Sequence, residues 1–202
     1  LHGWLPLSMV APAPVSALLH AVAVAGPIAT IGGVVHLVHQ GLMKITLFFC
    51  AGNLAETLGV HKVSELDGAG RRMPLTMLAF TVGALGMTGV PPMVGFISKW
   101  HLGLGGLEAG EPWVVWVLVA STLLNAGYFL PILYRAWFRP APAGWPHEQQ
   151  FRFETKLALL APPLITATLV LAAGLLAAAP FSPLAWATII ADREYYGPLV
   201  TP

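Results

Sequence analysis

Residues 34–59, VVHLVHQGLMKITLFFCAGNLAETLG, place His36, His39 and Lys44 inside an otherwise apolar stretch. A helix rises about 1.5 Å per residue, so this stretch covers roughly 39 Å, enough for the hydrocarbon core of a bilayer and part of an interface. Ionisable groups at membrane depth are costly and are kept where they face a cavity, a partner or a path for ions or protons. At 100° per residue, His36, Gln40 and Lys44 lie along one side of the helix with His39 beside them. Histidine titrates near neutrality, and a lysine in apolar surroundings takes up or releases a proton readily. The chemistry these types can perform together is proton transfer. Two more candidates lie outside the stretch: Lys99, seven residues after Pro92, and His20 in a short apolar run.

The elements that must hold these residues follow from apolar length and from proline and glycine. Residues 1–14 carry Gly3, Pro6, Pro12 and Pro14, which suits an interfacial or re-entrant loop. Residues 14–24 make a half-span around His20, ended by Gly26-Pro27, and residues 26–59 form the polar-striped span. Gly32, Gly33 and Gly41 there allow a neighbouring backbone to approach closely. Residues 60–74 are charged and belong in water. Residues 75–107 are apolar again, but Gly89-Val90-Pro91-Pro92 interrupts them, predicting a discontinuous transmembrane helix. Such breaks are tolerated where freed backbone groups face protein or a wet cavity, and they are typical of ion-transport sites. Residues 113–138 form a full span with Trp113 and Trp116 at one end and Tyr134, Trp137 and Phe138 at the other. Residues 157–179 hold no charge, and the tail beyond Pro180 is expected to lie along the surface. The fold class is therefore all-α, a polytopic transmembrane helix bundle with broken helices, forming a single transmembrane domain over 1–202.

Composition agrees. Of 202 residues 56% are hydrophobic and 9% charged, against about 25% charged in a soluble domain. Ten basic against nine acidic residues supply no basic footprint for nucleic acid. The lone cysteine, Cys50, excludes a Cys-ligated cluster within the chain, and nothing suggests a bound flavin or haem. No catalytic, metal or cofactor site is expected, and any redox chemistry belongs to partners. An H-x-x-H pair, His36 and His39, has no carboxylate or thiolate at ligand spacing, so metal is set aside. Basic residues orient the bundle: Lys62, Arg71 and Arg72 in one loop and Arg135, Arg139, Arg152 and Lys156 in another are expected on the cytoplasmic side. The acidic loop 108–112 and the tail are expected outside.

Several blocks carry a family resemblance. HGWLPLSMVAPAPVSALLHA, HLVHQGLMKITLFFCAGNLAE and GRRMPLTMLAFTVGALGMTGVPPMVGFISKW, with STLLNAGYFLPILYRAWF extending the match to Phe138, resemble the antiporter-like proton-translocating membrane subunits of respiratory complex I. The same blocks occur in Mrp-type multisubunit cation/proton antiporters and membrane-bound hydrogenases. The resemblance implies a cell (inner) membrane, multi-pass subunit that moves protons or Na+ in step with electron transport, with other membrane subunits and the lipid bilayer as partners. It implies Lys99 as the outward-side proton-transfer lysine, His36 and Lys44 in a central relay with His39 beside them, and His20 on the neighbouring half-span.

The chain departs from that pattern. Gln40 stands where the family usually repeats histidine, His39 is one place early, and Leu7 replaces an acidic residue after WLP. The family places several helices between blocks that are joined here at Val24-Ala25, and the chain begins at Leu1 without methionine. It is thus expected to be a partial, shortened version that does not translocate protons by itself. Competing readings remain for each group. His36, His39 and Lys44 could serve as interhelical hydrogen-bonding glue, Lys99 could snorkel from a helix end, and His20 could be packing. Glu56 reads as an interfacial cap, and His61, His101 and His147 as solvated or interfacial. The alternatives at the level of function are a structural membrane subunit, a remnant without transport, or a standalone secondary transporter.

Overall fold

The structure is a computed structural model that describes residues 26–145, 148 and 153–197. The expected half-span at 14–24 with His20, and His147, lie outside the described residues. The order of helices is α1 (Pro27–Leu58), a 3₁₀ turn (Val63–Glu65), α2 (Ala69–Arg72), α3 (Pro74–Thr88), α4 (Val94–Glu108), α5 (Trp113–Phe138), α6 (Leu157–Leu175) and α7 (Pro183–Tyr196). No strand occurs among the described residues, so the architecture is an all-α membrane bundle.

α1, α5 and α6, of 32, 26 and 19 residues, are long and apolar enough to cross a membrane. α3 and α4 hold 15 residues each, roughly 22 Å apiece, so the bilayer is covered only by the two in succession. Between them Gly89 adopts φ +86°, and the Pro91-Pro92 peptide is cis. The break has a backbone cause: proline lacks the N–H that would continue the ladder, and Gly89 takes the left-handed conformation that closes a helix.

α1 is the hub, packing against α3, α4, α6 and α7. Its main partner is α4, which runs antiparallel to it. A Cβ on Gly105 would sit 2.6 Å from the Ala29 nitrogen, and one on Gly32 would sit 2.8 Å from the Leu102 nitrogen, so the two backbones nearly touch. Further along the same seam His36 meets Ser98 and His39 meets Val94. Gly41, by contrast, faces open space.

Prolines in α6 also shape the packing. Pro163 has no N–H to give to the Leu159 carbonyl one turn earlier, and the Asn53 amide of α1 donates to that carbonyl at 2.9 Å. Beside it the buried Thr57 hydroxyl donates to Thr155 at 2.8 Å. α6 ends at Leu175, short of the expected 179, and beyond it the Ser182 hydroxyl donates to the Ala177 carbonyl and caps α7 by accepting from the Ala185 amide. The tail is thus a helix: α7 rests on α1 with Ala187 and Ala191 fully buried and leaves Trp186, Ile189 and Ile190 exposed.

The loops sort into two ends. Asp67 pairs with Arg135 at 3.3 Å and Arg139 at 3.4 Å, and Arg72 pairs with Glu148 at 2.6 Å. The two basic segments therefore share one end of the bundle, while α4 and α5 meet at the loop around Ala109–Pro112 at the other. Exposed apolar side chains cover the outside, Trp116, Leu123, Leu124 and Phe138 on α5 among them, as expected of a lipid- or subunit-facing surface.

Candidate functional site

The helix break creates the site. The last four carbonyls of α3 have no partner within a helix and must find donors elsewhere. The Leu85 carbonyl accepts from the Gly89 and Val90 amides and the Thr88 hydroxyl, and the Gly86 carbonyl from the Gly89 amide. Met87 and Thr88 remain. The Lys99 ammonium, reaching back from α4, donates to the Met87 carbonyl at 3.1 Å and the Thr88 carbonyl at 3.0 Å. Its third hydrogen goes to the Thr122 hydroxyl of α5 at 2.9 Å. A cation at the negative end of a helix is favourably placed, and all three of its N–H bonds are used. No carboxylate pairs with Lys99 among the described residues. One wall of the site is open: a cavity of about 410 Å³ between α4 and α5 runs from Lys99, Thr122 and Gly89 past Phe96 and Trp100.

His36 and His39 lie across the α1–α4 seam from the start of α4, with 3% and 1% of their surface exposed. His36 Nδ1 lies 2.9 Å from the Ser98 hydroxyl, next to Lys99 in sequence. His39 Nδ1 donates to the Val94 carbonyl at 3.0 Å. The Nε2 atom of each ring is buried without a hydrogen-bond partner among the described residues. Lys99, His39 and Lys44 are the groups near enough to act on His36 electrostatically.

The sequence-predicted residues therefore divide. Lys99, His36 and His39 are brought together by α1 and α4. Lys44, two turns further along α1 and partly buried, has no hydrogen bond or ion pair among the described residues but lies within electrostatic reach of His36. Gly26 and Pro27 open α1, and Gly89, Pro91 and Pro92 separate α3 from α4. Glu56 pairs with Lys156 at 3.6 Å at the surface. His101 donates from Nδ1 to the Ile97 carbonyl at 2.9 Å within its own helix. Sequence reasoning missed Ser98 and Thr122. Ser98 could have been suspected from its place beside Lys99; Thr122, on another helix, carries no local signal. No group of three or more His, Cys, Asp or Glu that could hold a metal occurs among the described residues.

Comparisons with known proteins agree with this architecture. A family described as the NADH:quinone oxidoreductase/Mrp antiporter transmembrane region matches residues 21–125, just over half of the chain. NADH-quinone oxidoreductase subunit N of Desulforudis audaxviator is 38% identical over 183 residues, 85% of this chain and 36% of that protein. An Na(+)/H(+) antiporter subunit of Bacillus subtilis is 31% identical over 124 residues, 61% of this chain and 25% of that protein. The chain thus spans about a third or less of the length of these relatives. A chain of the Mrp complex from Dietzia sp. superposes with a TM-score of 0.71 at 24% identity, over 84% of this chain and 38% of that one, and shows the same fold. With a family match from α1 into the first half of α5 and a shared fold over most of its length, this chain belongs to the NADH:quinone oxidoreductase/Mrp antiporter transmembrane family.

Proposed function

We propose that the chain forms part of a proton route through a cell (inner) membrane, as one transmembrane unit among the other membrane subunits of an oxidoreductase- or antiporter-type complex. Lys99 holds the moving proton at the α3–α4 break, and His36, His39 and Lys44 pass it along α1. The observation that carries this reading is the set of partners of Lys99: two backbone carbonyls and a hydroxyl, all uncharged. A lysine locked to a carboxylate would leave a buried anion behind on losing its proton. Here deprotonation costs hydrogen bonds and the attraction of the α3 end, and leaves no buried anion behind. The break, the buried imidazoles across the seam and the open cavity beside Lys99 support the same reading. Relatives named as NADH-quinone oxidoreductase and Na(+)/H(+) antiporter subunits support it at the level of class.

The same geometry suits a lysine that only caps α3. Proton pumping by the membrane complex carrying Lys99→Ala separates the two: assembly with pumping abolished or greatly reduced supports the route, and assembly with normal stoichiometry leaves Lys99 a structural cap. Lys44→Ala is expected to reduce pumping likewise.

A further inference from the structure

His36 and His39 differ in what their first nitrogen meets. The Val94 carbonyl has no hydrogen to give, so His39 Nδ1 must be the donor across their 3.0 Å contact. In the neutral ring the proton is then on Nδ1, and Nε2 is a bare acceptor. His36 Nδ1 meets a hydroxyl, which can give or receive. The Ser98 hydroxyl has three acceptors within reach: His36 Nδ1 at 2.9 Å, the Gly95 carbonyl at 3.3 Å and the Val94 carbonyl at 3.5 Å. O–H···O bonds are best near 2.7–2.8 Å and weaken with length, so both carbonyl contacts of Ser98 are long, and the Val94 carbonyl already receives His39. Of these three, His36 Nδ1 is the nearest to the hydroxyl oxygen.

We propose that Ser98 is a positioning residue that donates to His36 Nδ1 and thereby holds neutral His36 with its proton on Nε2, the tautomer opposite to that of His39. Three residues apart on α1, the two rings then present unlike groups at their buried, unpartnered Nε2 atoms: a donor on His36 and an acceptor on His39. With Ser98 in place, His39 can take up a proton from the interior at Nε2 while keeping its bond to Val94. His36 can take one up only at Nδ1, which requires the Ser98 hydroxyl hydrogen to turn away, toward the Gly95 carbonyl, and its oxygen to become the acceptor. Ser98 is fully buried and precedes Lys99 on α4, so one helix carries both the partner of His36 and the lysine at the break. The bearing of this on transport rests on the proton-route reading above, whereas the tautomers do not.

The test is ¹⁵N solid-state NMR of the full chain in lipid bilayers with ¹³C,¹⁵N-labelled histidine, at a pH where both rings are neutral, with His36 and His39 assigned by sequential correlations. The expected spectrum shows His36 protonated at Nε2, with an unprotonated, hydrogen-bonded Nδ1, and His39 protonated at Nδ1. Ser98→Ala shifts the His36 Nδ1 resonance toward that of a free acceptor, and Ser98→Thr, which keeps the hydroxyl, does not. The proposal is overturned if both rings carry the proton on the same nitrogen, a result read on the unmodified chain, or if Ser98→Ala leaves the His36 resonances in place. Like tautomers together with pumping lost on Lys99→Ala would overturn the Ser98 assignment and retain the proton route. Opposite tautomers with pumping intact on Lys99→Ala would do the reverse.

Discussion

Lys99 is held by two kinds of oxygen that single substitutions can tell apart. The carbonyls of Met87 and Thr88 belong to the end of α3 and stay whatever side chains are changed; the Thr122 hydroxyl does not. Thr122→Val is nearly isosteric and removes one acceptor of an ammonium, a hydrogen bond worth about 1.5–3 kcal/mol. Pumping by the complex is expected to fall while its assembly persists, and Thr122→Ser is expected to restore it. Asn53 answers a different need, since its amide covers the carbonyl that Pro163 leaves open in α6. Interhelical hydrogen bonds in membranes average about 0.6 kcal/mol and reach about 1.7 kcal/mol. Asn53→Leu should therefore lower stability by about that amount in a detergent-unfolding titration, without the loss of pumping expected at Lys99.

At the scale of elements, the α1–α4 seam sets the site. Near-contact of the backbones at Gly32 and Gly105 brings the histidines of α1 against Val94 and Ser98. Gly105→Val would push a branched side chain into Ala29, and overpacking of this kind costs about 1–3 kcal/mol. The expected result is a lower unfolding midpoint together with lost pumping, because the helices separate where the imidazoles must meet α4. α3 is fixed from its other end by Glu154, whose carboxylate accepts from the Leu75 amide and from the Thr76 amide and hydroxyl. Glu154→Ala removes this remote N-cap, and a loss of about 1 kcal/mol is expected by the same titration.

The loop after α1 offers a pH test outside the membrane. The Glu65 carboxylate accepts from the His61 amide at 3.0 Å and the Lys62 amide at 3.1 Å. The His61 amide first, then that of Lys62 and their charges, hold its carboxyl below the ordinary carboxylate range. Its contribution is therefore fully present above the unfolded value and is lost as pH falls through the lower folded value. Hydrogen exchange at the His61 and Lys62 amides, corrected for intrinsic rates, is expected to accelerate only over that acidic range.

On the scale of the whole molecule, ion pairs gather the two basic segments at one end and leave the 108–112 loop at the other. Cys50, fully buried, is a quiet background for labelling. In membrane vesicles, single cysteines at Arg71 and Ala143 are expected to react with an impermeant reagent from one side, and one at Glu108 from the opposite side. Labelling of positions 71 and 108 from the same side would rule out this arrangement.

Apolar length was enough to specify the helical class and the long spans, and glycine followed by paired prolines the interruption at Gly89–Pro92, because Gly89 closes the helix and the prolines cannot reopen its ladder, whereas Pro162-Pro163 without such a glycine stays inside α6. Residue type alone also singled out Lys99, His36 and His39, since apolar neighbours make any ionisable side chain conspicuous. Sequence periodicity placed His36, Gln40 and Lys44 on one stripe, yet the bundle buries His36 with His39 against α4 and leaves Lys44 partly covered. That choice belongs to the glycine seam of α1 and α4, a contact between residues about seventy positions apart. The partners were decided in the same way. Which oxygen receives the Lys99 ammonium, which group faces each imidazole and why Asn53 matters to α6 all depend on backbone carbonyls, which are identical in every residue and acquire identity only when tertiary packing brings a donor to them.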